Sequence, residues 1–504
     1  LPPRALEALA NAASEAGDLF EDSKSLPTAK KGPWRIGLDL PRYIPSMTYA
    51  TKRSIRETLY KAYISRASAG KQNNQPVIEE ILTLRTKQAH HLGYSNWADL
   101  SLASKMANDI GAVDNLLKEL RTAAFPAAQS ELAKIKECAA RDESSAPSEF
   151  APWDLAFWSE RLRQQELDLN QEALRPWFPL PQVLEGLFNL CNRLFGISIE
   201  AADGEAPVWH KDVRFFRVRD QDGSSLAAFY LDPFSRPGRK RGGAWMDECI
   251  GRYKTNNGDI VSPVAYLICN QSPPVGGAPS LMSFEEVETL FHEFGHGLQH
   301  MLTTTEYPQT AGINNVEWDA VELPSQFMEN WCLEEKTIRD IARHWKTGEP
   351  LSKVEVEKLR LSKTFNAGLA TLRQVHLALT DIKLHSYWNP DIGITPDEIR
   401  RKLASTTTVL NPIDEDQFLC AFSHIFAGGY SAGYYSYKWA EVLSSDAFAA
   451  FEEIGLDQHD KIKSMGHLFR KTVLSEGGSR PPIDVFKSFR RRHPNTEALI
   501  RHSG

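Results

Sequence analysis

The stretch FHEFGHGLQH, residues 291–300, places three of the chain's 14 histidines at four-residue spacing: His292, His296 and His300. Residues four apart on a helix share one face. The imidazoles of His292 and His296 would therefore reach a single ion at about 2.0–2.1 Å. Glu293 adjoins the first histidine on the same side. This is the HExxH pattern, in which two histidines hold a metal and the glutamate serves as general base toward water at that metal. The competing reading is a helix whose polar face happens to carry two histidines. A pair at 296 and 300 would put Gly297 where the base belongs, and a histidine ten residues after the first would fall at Leu302. His300 is expected to be a partner or a bystander.

A catalytic zinc takes three protein ligands and keeps one position open. The next acid-rich segment is GINNVEWDAVELPSQFMENWCLEE, with Glu317, Asp319, Glu322 and Glu329. If it is helical, Glu322, Gln326 and Glu329 share a face, with Pro324 tolerated near the helix start or as a kink. Spacing alone does not choose among these acids. A carboxylate that steadies a ligand imidazole is also expected, and Glu317 or Asp319 would serve; each could equally be a solvated acid.

The elements that must position these groups are legible nearby. Ser283 with Glu286 three residues on forms a capping box, and Val287, Leu290, Phe291, Phe294 and Leu298 make an apolar stripe. Helical spacing dominates 50–140 and 155–196, with a polar loop, RDESSAPSEFAPWD, at 141–154. The period then changes. VWHKDVRFFRVRD, SLAAFYLDPF and VSPVAYLICNQ read as strands. The expected organisation is a helical region at 1–205, a small sheet at 206–275 and a helical catalytic region at 276–504, with loops at SRPGRKRGGAW and PPVGGAPSL.

Bulk composition narrows the function classes. Of 504 residues 42% are hydrophobic and 24% charged, as in an ordinary folded domain, and the net charge is −7. A weakly acidic chain is a poor nucleic-acid binder, so the cluster Arg236, Arg239, Lys240 and Arg241 reads as a solvated turn. The six cysteines are scattered without a CxxC pair, which suits reduced, buried thiols in an intracellular protein. No apolar run approaches the roughly 20 residues of a spanning helix, and no membrane partner is expected.

FHEFGHGLQHML followed by VEWDAVELPSQFMENW resembles the thimet-type oligopeptidase family of zinc peptidases, in its bacterial and plant oligopeptidase A branch. The likeness extends to RFFRVRD, FYLDPFSRPGRKRGGAWMDECIG, PVAYLICN, FSHIFAGGYSAGYYSYKWAEVL and LSEGGSRPPIDVFKSFRRR, in that order. It implies a mainly α, two-lobed fold with a small inserted β-sheet and a deep substrate channel. It implies one Zn2+ per chain on His292, His296 and Glu322, with Glu293 as base and Glu317 and Asp319 behind the ligands. Its substrate motif matches His424, Tyr430 and Tyr437, with Tyr434 between them; the competing reading of these tyrosines is core packing. Gly428, Gly429 and Gly433 would give that loop freedom to close on substrate.

The function so implied is a zinc endopeptidase of short peptides, monomeric, in the cytoplasm or in an organelle lumen if a targeting segment has been removed. The alternatives are a dipeptidyl carboxypeptidase of the same family and a catalytically silent zinc- or peptide-binding protein. Glu293 argues against the silent form, which has no use for a base. The family pattern also includes a further N-terminal helical segment, and the chain is expected to begin inside it.

Overall fold

The structure, a computed structural model, describes residues 1–18, 26–142, 147–236, 239–274 and 277–504. The loops expected at 141–154, at SRPGRKRGGAW and at PPVGGAPSL each fall partly outside the described residues. The fold is mainly α-helical with a small mixed sheet. The chain forms two compact units. One gathers Leu1–Ser101, Leu117–Asp168 and Phe365–Tyr434; the other gathers Leu102–Leu116, Leu169–Thr364 and Tyr435–Gly504.

The first unit is helical. Its helices include Arg53–Ile64, Gln75–His91, Pro152–Leu167, Ala367–Ser386 and Pro396–Thr407, along with most of the long Ile110–Ala140 helix. One core layer is Ile135, Cys138, Phe157, Trp158 and Leu162; a second joins Ala124 and Ala128 to Leu372. A buried polar knot ties its early helices together. Asp154, fully buried, accepts from Arg53 at 2.7 Å and from Arg56 at 3.1 Å. Removing Asp154 would leave the buried Arg56 without its counter-charge, which typically costs about 3–5 kcal/mol.

The second unit holds the sheet. Its strands are β1 (Ser198–Ala201), β2 (Arg214–Arg219), β3 (Ser225–Phe234), β4 (Trp245–Ile250), β5 (Tyr253–Lys254), β6 (Ile260–Val261) and β7 (Val264–Gln271). The five-stranded sheet runs β1-β2-β3-β7-β4, and β5 pairs with β6 as a separate hairpin. Only the β3–β7 pair is parallel among the described ladders. Of the three expected strands, the first begins late. His210 to Val213 close a turn, with the Val213 N–H donating to the His210 carbonyl at 3.1 Å, so pairing starts at Arg214.

The Phe284–Met301 helix lies on this sheet. Its apolar stripe, Val287, Leu290, Phe291, Phe294 and Leu298, is buried. Phe294 meets Phe229 of β3 edge-on at 5.5 Å and Phe188 at 6.1 Å. Truncating such a ring typically costs about 3–5 kcal/mol. The same burial that stabilises the helix fixes its rotation, and so aims its histidines. All six cysteines are free, and five are buried.

Candidate metal centre

The histidine helix starts where the capping chemistry demands. Ser283 Oγ accepts from the Glu286 N–H at 3.1 Å, and Glu286 Oε2 accepts from the Ser283 N–H at 2.6 Å. A second helix, Leu323–Asn330, follows with Glu322 as its N-cap residue and Pro324 in its first turn. Pro324 is harmless there because first-turn N–H groups have no intrahelical acceptor.

Gly295 lets these helices touch. A Cβ at that position would stand 2.5 Å from the Pro324 carbonyl oxygen and 2.5 Å from the Ser325 Cα. Both obstacles are backbone and cannot swing aside. The close approach brings Glu322 to the histidines: its Oε2 lies 3.2 Å from His292 Nε2 and 3.1 Å from His296 Nε2. The three donors lie within 4.8 Å of one another. Bonds of about 2.0–2.1 Å at tetrahedral angles place ligand atoms about 3.3–3.4 Å apart. Two imidazoles and a carboxylate at this spacing fit a zinc-sized cation.

The supports of the donors are specific. Ser325 Oγ donates to Glu322 Oε2 at 2.7 Å, fixing the carboxylate. Glu329 Oε1 lies 2.5 Å from His292 Nδ1. A carboxylate on the far nitrogen fixes both ring orientation and tautomer. Glu288, one turn before His292, pairs with Lys363 at 2.7 Å.

The electrostatics follow from this crowding. Burial works to lower the His292 pKa, but hydrogen bonds to Glu322 and Glu329 outweigh it and lift it to about 10. Burial works to raise Glu322, and the two imidazoles overcome it and hold the carboxyl far below its ordinary range. A cation would replace that proton, so loading the site releases protons. Glu293 is 6% exposed. Burial pushes its carboxyl above the ordinary range, against the pull of His292 and His296 and a hydrogen bond from the Met246 backbone. Met246 belongs to β4, the edge strand of the sheet.

The other sequence candidates are placed as follows. Asp319 is fully buried and accepts from the Met106 and Ala107 N–H groups at 2.8 and 3.0 Å and from the Tyr435 hydroxyl at 2.7 Å. It fastens a loop, whereas the carboxylate on a ligand imidazole is that of Glu329. Glu317 is half-buried, and burial raises its pKa. His300 is fully buried, with Nε2 3.1 Å from the Ile250 carbonyl of β4.

In the first unit, His424 is exposed and its ring centroid lies 6.1 Å from that of Tyr430 and 5.8 Å from that of Tyr434. Tyr434 is buried edge-on against Phe422 at 5.3 Å. Gly428 and Gly429 are exposed, and Gly429 has φ +83°, a conformation L side chains resist. Tyr437 is half-buried in the first turn of the Ser436–Ile454 helix in the second unit.

A residue the sequence reading missed anchors the glycine loop. Asp381, fully buried, accepts from the N–H groups of Ala432, Gly433 and Tyr434 at 2.8, 2.9 and 2.9 Å. His385 Nδ1 lies 2.9 Å from Asp381 Oδ1, and Arg85 meets His385 Nε2 at 2.9 Å. Arg85 also donates to the Ile425 and Phe426 carbonyls at 2.7 and 3.1 Å. An aspartate 51 to 53 residues before the N–H groups it holds leaves no local signal.

Residues 46–504 match the family described as Peptidase family M3. The chain is 50% identical over 507 residues to organellar oligopeptidase A, chloroplastic/mitochondrial, of Arabidopsis thaliana, covering 100% of this chain and 63% of that protein. It is 44% identical over 504 residues to oligopeptidase A of Haemophilus influenzae, covering 99% and 72%. The chain thus spans about two thirds of the length of these relatives. Among solved structures, PZ peptidase A with an inhibitor shares the fold at TM-score 0.54 and 14% identity, covering 99% of this chain and 74% of that one. No helix among the described residues is long and apolar enough to cross a membrane. The donor set and the matches agree: the chain belongs to peptidase family M3, in its oligopeptidase A branch, a family of metallopeptidases whose chemistry calls for a catalytic metal.

Proposed function

We infer that the chain is a zinc-dependent endopeptidase of short peptides, with one zinc held by His292, His296 and Glu322. The observation that carries this reading is the convergence of the three donors beside the buried carboxyl of Glu293. A zinc held by these three residues would supply Lewis-acid chemistry, lowering the pKa of water toward about 7 and polarising a peptide carbonyl. Glu293 takes the proton of the attacking water and returns it to the leaving amine. Its burial beside the donors places the carboxyl where it can make both transfers.

The family likeness assigns hydrogen bonds to the substrate oxyanion to His424, Tyr430 and Tyr437, with Tyr434, Gly428 and Gly429 shaping the loop. Removing one such donor typically costs about 100- to 1000-fold in turnover. Glu317 and Asp319 retain supporting roles, Asp319 through the loop it fastens. Residues 1–205, 206–275 and 276–504 act together as one peptidase unit, monomeric, in the cytoplasm or an organelle lumen.

Turnover of a quenched peptide blocked at both ends, with and without chelator, tests the reading. Cleavage that chelator abolishes and zinc restores is expected. Cleavage only when the C-terminus is free would make the chain a dipeptidyl carboxypeptidase. No cleavage of any peptide by the zinc-loaded protein would make it a silent binder.

A further inference from the structure

A cavity of about 680 Å³ in the second unit shares no lining residue with the metal donors. It lies among the β2–β3 turn, the β5–β6 hairpin, the end of the Phe284–Met301 helix and the π-turn Arg470–Leu474. Its size suits a small organic molecule. Leu226, Ile260 and Met301 give it apolar walls. Its charge is unevenly spent. Arg470 donates to Asp220 through both terminal nitrogens, at 3.0 and 2.7 Å, so that pair is self-contained. Glu476 faces the Ser479 hydroxyl at 3.5 Å.

Arg252 is different. Its Nη1 is buried with no hydrogen-bond partner among the described residues, and it forms no ion pair there. Lys471 on the same lining is exposed and forms no ion pair among the described residues. A buried guanidinium nitrogen without a partner carries a desolvation cost that a bound anion would relieve. The guanidinium fork matches oxyanions in geometry. With Arg470 and Asp220 paired, Arg252 and Lys471 against Glu476 leave the lining net positive, and a phosphate monoester, about −1.5 to −2 at pH 7, gains more from that field than a singly charged carboxylate does.

We propose that this cavity binds a small organic phosphate monoester, with the phosphate on Arg252 and Lys471 and the organic group over Leu226, Ile260 and Met301. The ligand is neither a peptide nor a metal, and its site is separate from the peptidase chemistry.

Calorimetric titration of the zinc-loaded full chain with phenyl phosphate, inorganic phosphate and benzoate tests it. Saturable binding of phenyl phosphate, weaker binding of inorganic phosphate and none of benzoate are expected. Arg252→Met should weaken phenyl phosphate about 10- to 100-fold, the loss of a charge-assisted hydrogen bond. Binding should persist in the chelator-treated protein, because the cavity does not include the metal donors. Without ligand, Arg252→Met should melt at the same temperature or higher, since the half-buried Arg252 has a buried Nη1 with no hydrogen bond to lose among the described residues. If Arg252→Met does not fold, Arg252→Lys, which keeps charge without the fork, should weaken binding at least several-fold. The proposal is overturned by absent binding, by equal binding of benzoate, by binding that chelator removes, or by variants that bind like the parent. A fall of several degrees in the melting temperature of Arg252→Met would assign the residue to structure instead.

Discussion

Glu329 Oε1 lies 2.5 Å from His292 Nδ1, on the side of the ring away from Glu322. The imidazole is thus held between two carboxylates, of which Glu322 could share a metal with it and Glu329 orients it. Glu329→Gln should lower zinc affinity about 10- to 100-fold, read by competition with a chromogenic chelator. Unchanged affinity would show that the ring needs no carboxylate behind it.

Gly295 carries the second prediction. Because a Cβ there would meet the Pro324 and Ser325 backbone at 2.5 Å, Gly295→Ala must part the two ligand helices. Zinc affinity and unfolding free energy should fall together, the latter by the about 1–3 kcal/mol typical of overpacking. A variant that binds zinc like the parent would mean the helices can re-seat without moving Glu322.

Glu293→Gln separates binding from chemistry. The carboxylate is not among the converging donors, so zinc content should be retained. Turnover should drop about 100- to 10,000-fold, the usual contribution of a general base. Retained turnover in a metal-loaded variant would remove Glu293 from its role.

Asp381 tests the anchoring of the glycine loop. Asp381→Asn keeps one acceptor oxygen where two now receive three N–H groups. Peptide turnover should fall about 10-fold or more, with zinc affinity unchanged, because the proposed role of the loop is toward substrate and none of its residues is among the converging donors. Equal loss of zinc would place the effect in global folding.

The acid limit of stability should report on His376. Its ring is 2% exposed, with Nδ1 2.7 Å from the Thr407 hydroxyl. Burial, then the charges of Arg373 and Arg400, opposed by Asp397, lower its pKa from 6.5 to about 3. The unfolded chain therefore binds a proton below about pH 6.5 that the folded chain refuses. The contribution is fully present above pH 6.5 and is lost as pH falls toward 3, by up to about 1.4 kcal/mol per unit. Between pH 6.5 and 5.5, His376→Gln should lose about 1 kcal/mol less unfolding free energy than the parent, measured with urea. Parallel losses would show that the ring already titrates in the folded state.

What was legible in the sequence was what local spacing encodes. The i,i+4 histidines, the Ser283–Glu286 box and the apolar stripe through Phe294 each reflect a helix period. Steric rules left Pro324 either near a helix start or at a kink, and it lies in the first turn. Glu329 behind His292 did not, because Glu317, Asp319 and Glu329 are equivalent until the turn before Glu322 is known. Asp319 turned out to fasten Met106, Ala107 and Tyr435, contacts more than 100 residues away in sequence. β4 was missed because WMDECI lacks the Val- and Phe-rich run of a buried strand, being an edge strand with no fully buried residue. Asp381 was missed because a loop anchor is defined only by the tertiary fold.

The most direct test is an anomalous difference map at the zinc edge from crystals of the zinc-loaded protein. One peak about 2.0–2.2 Å from His292 Nε2, His296 Nε2 and a Glu322 carboxylate oxygen is predicted. A peak elsewhere, or one at the two histidines with a different group completing the set, would contradict the account.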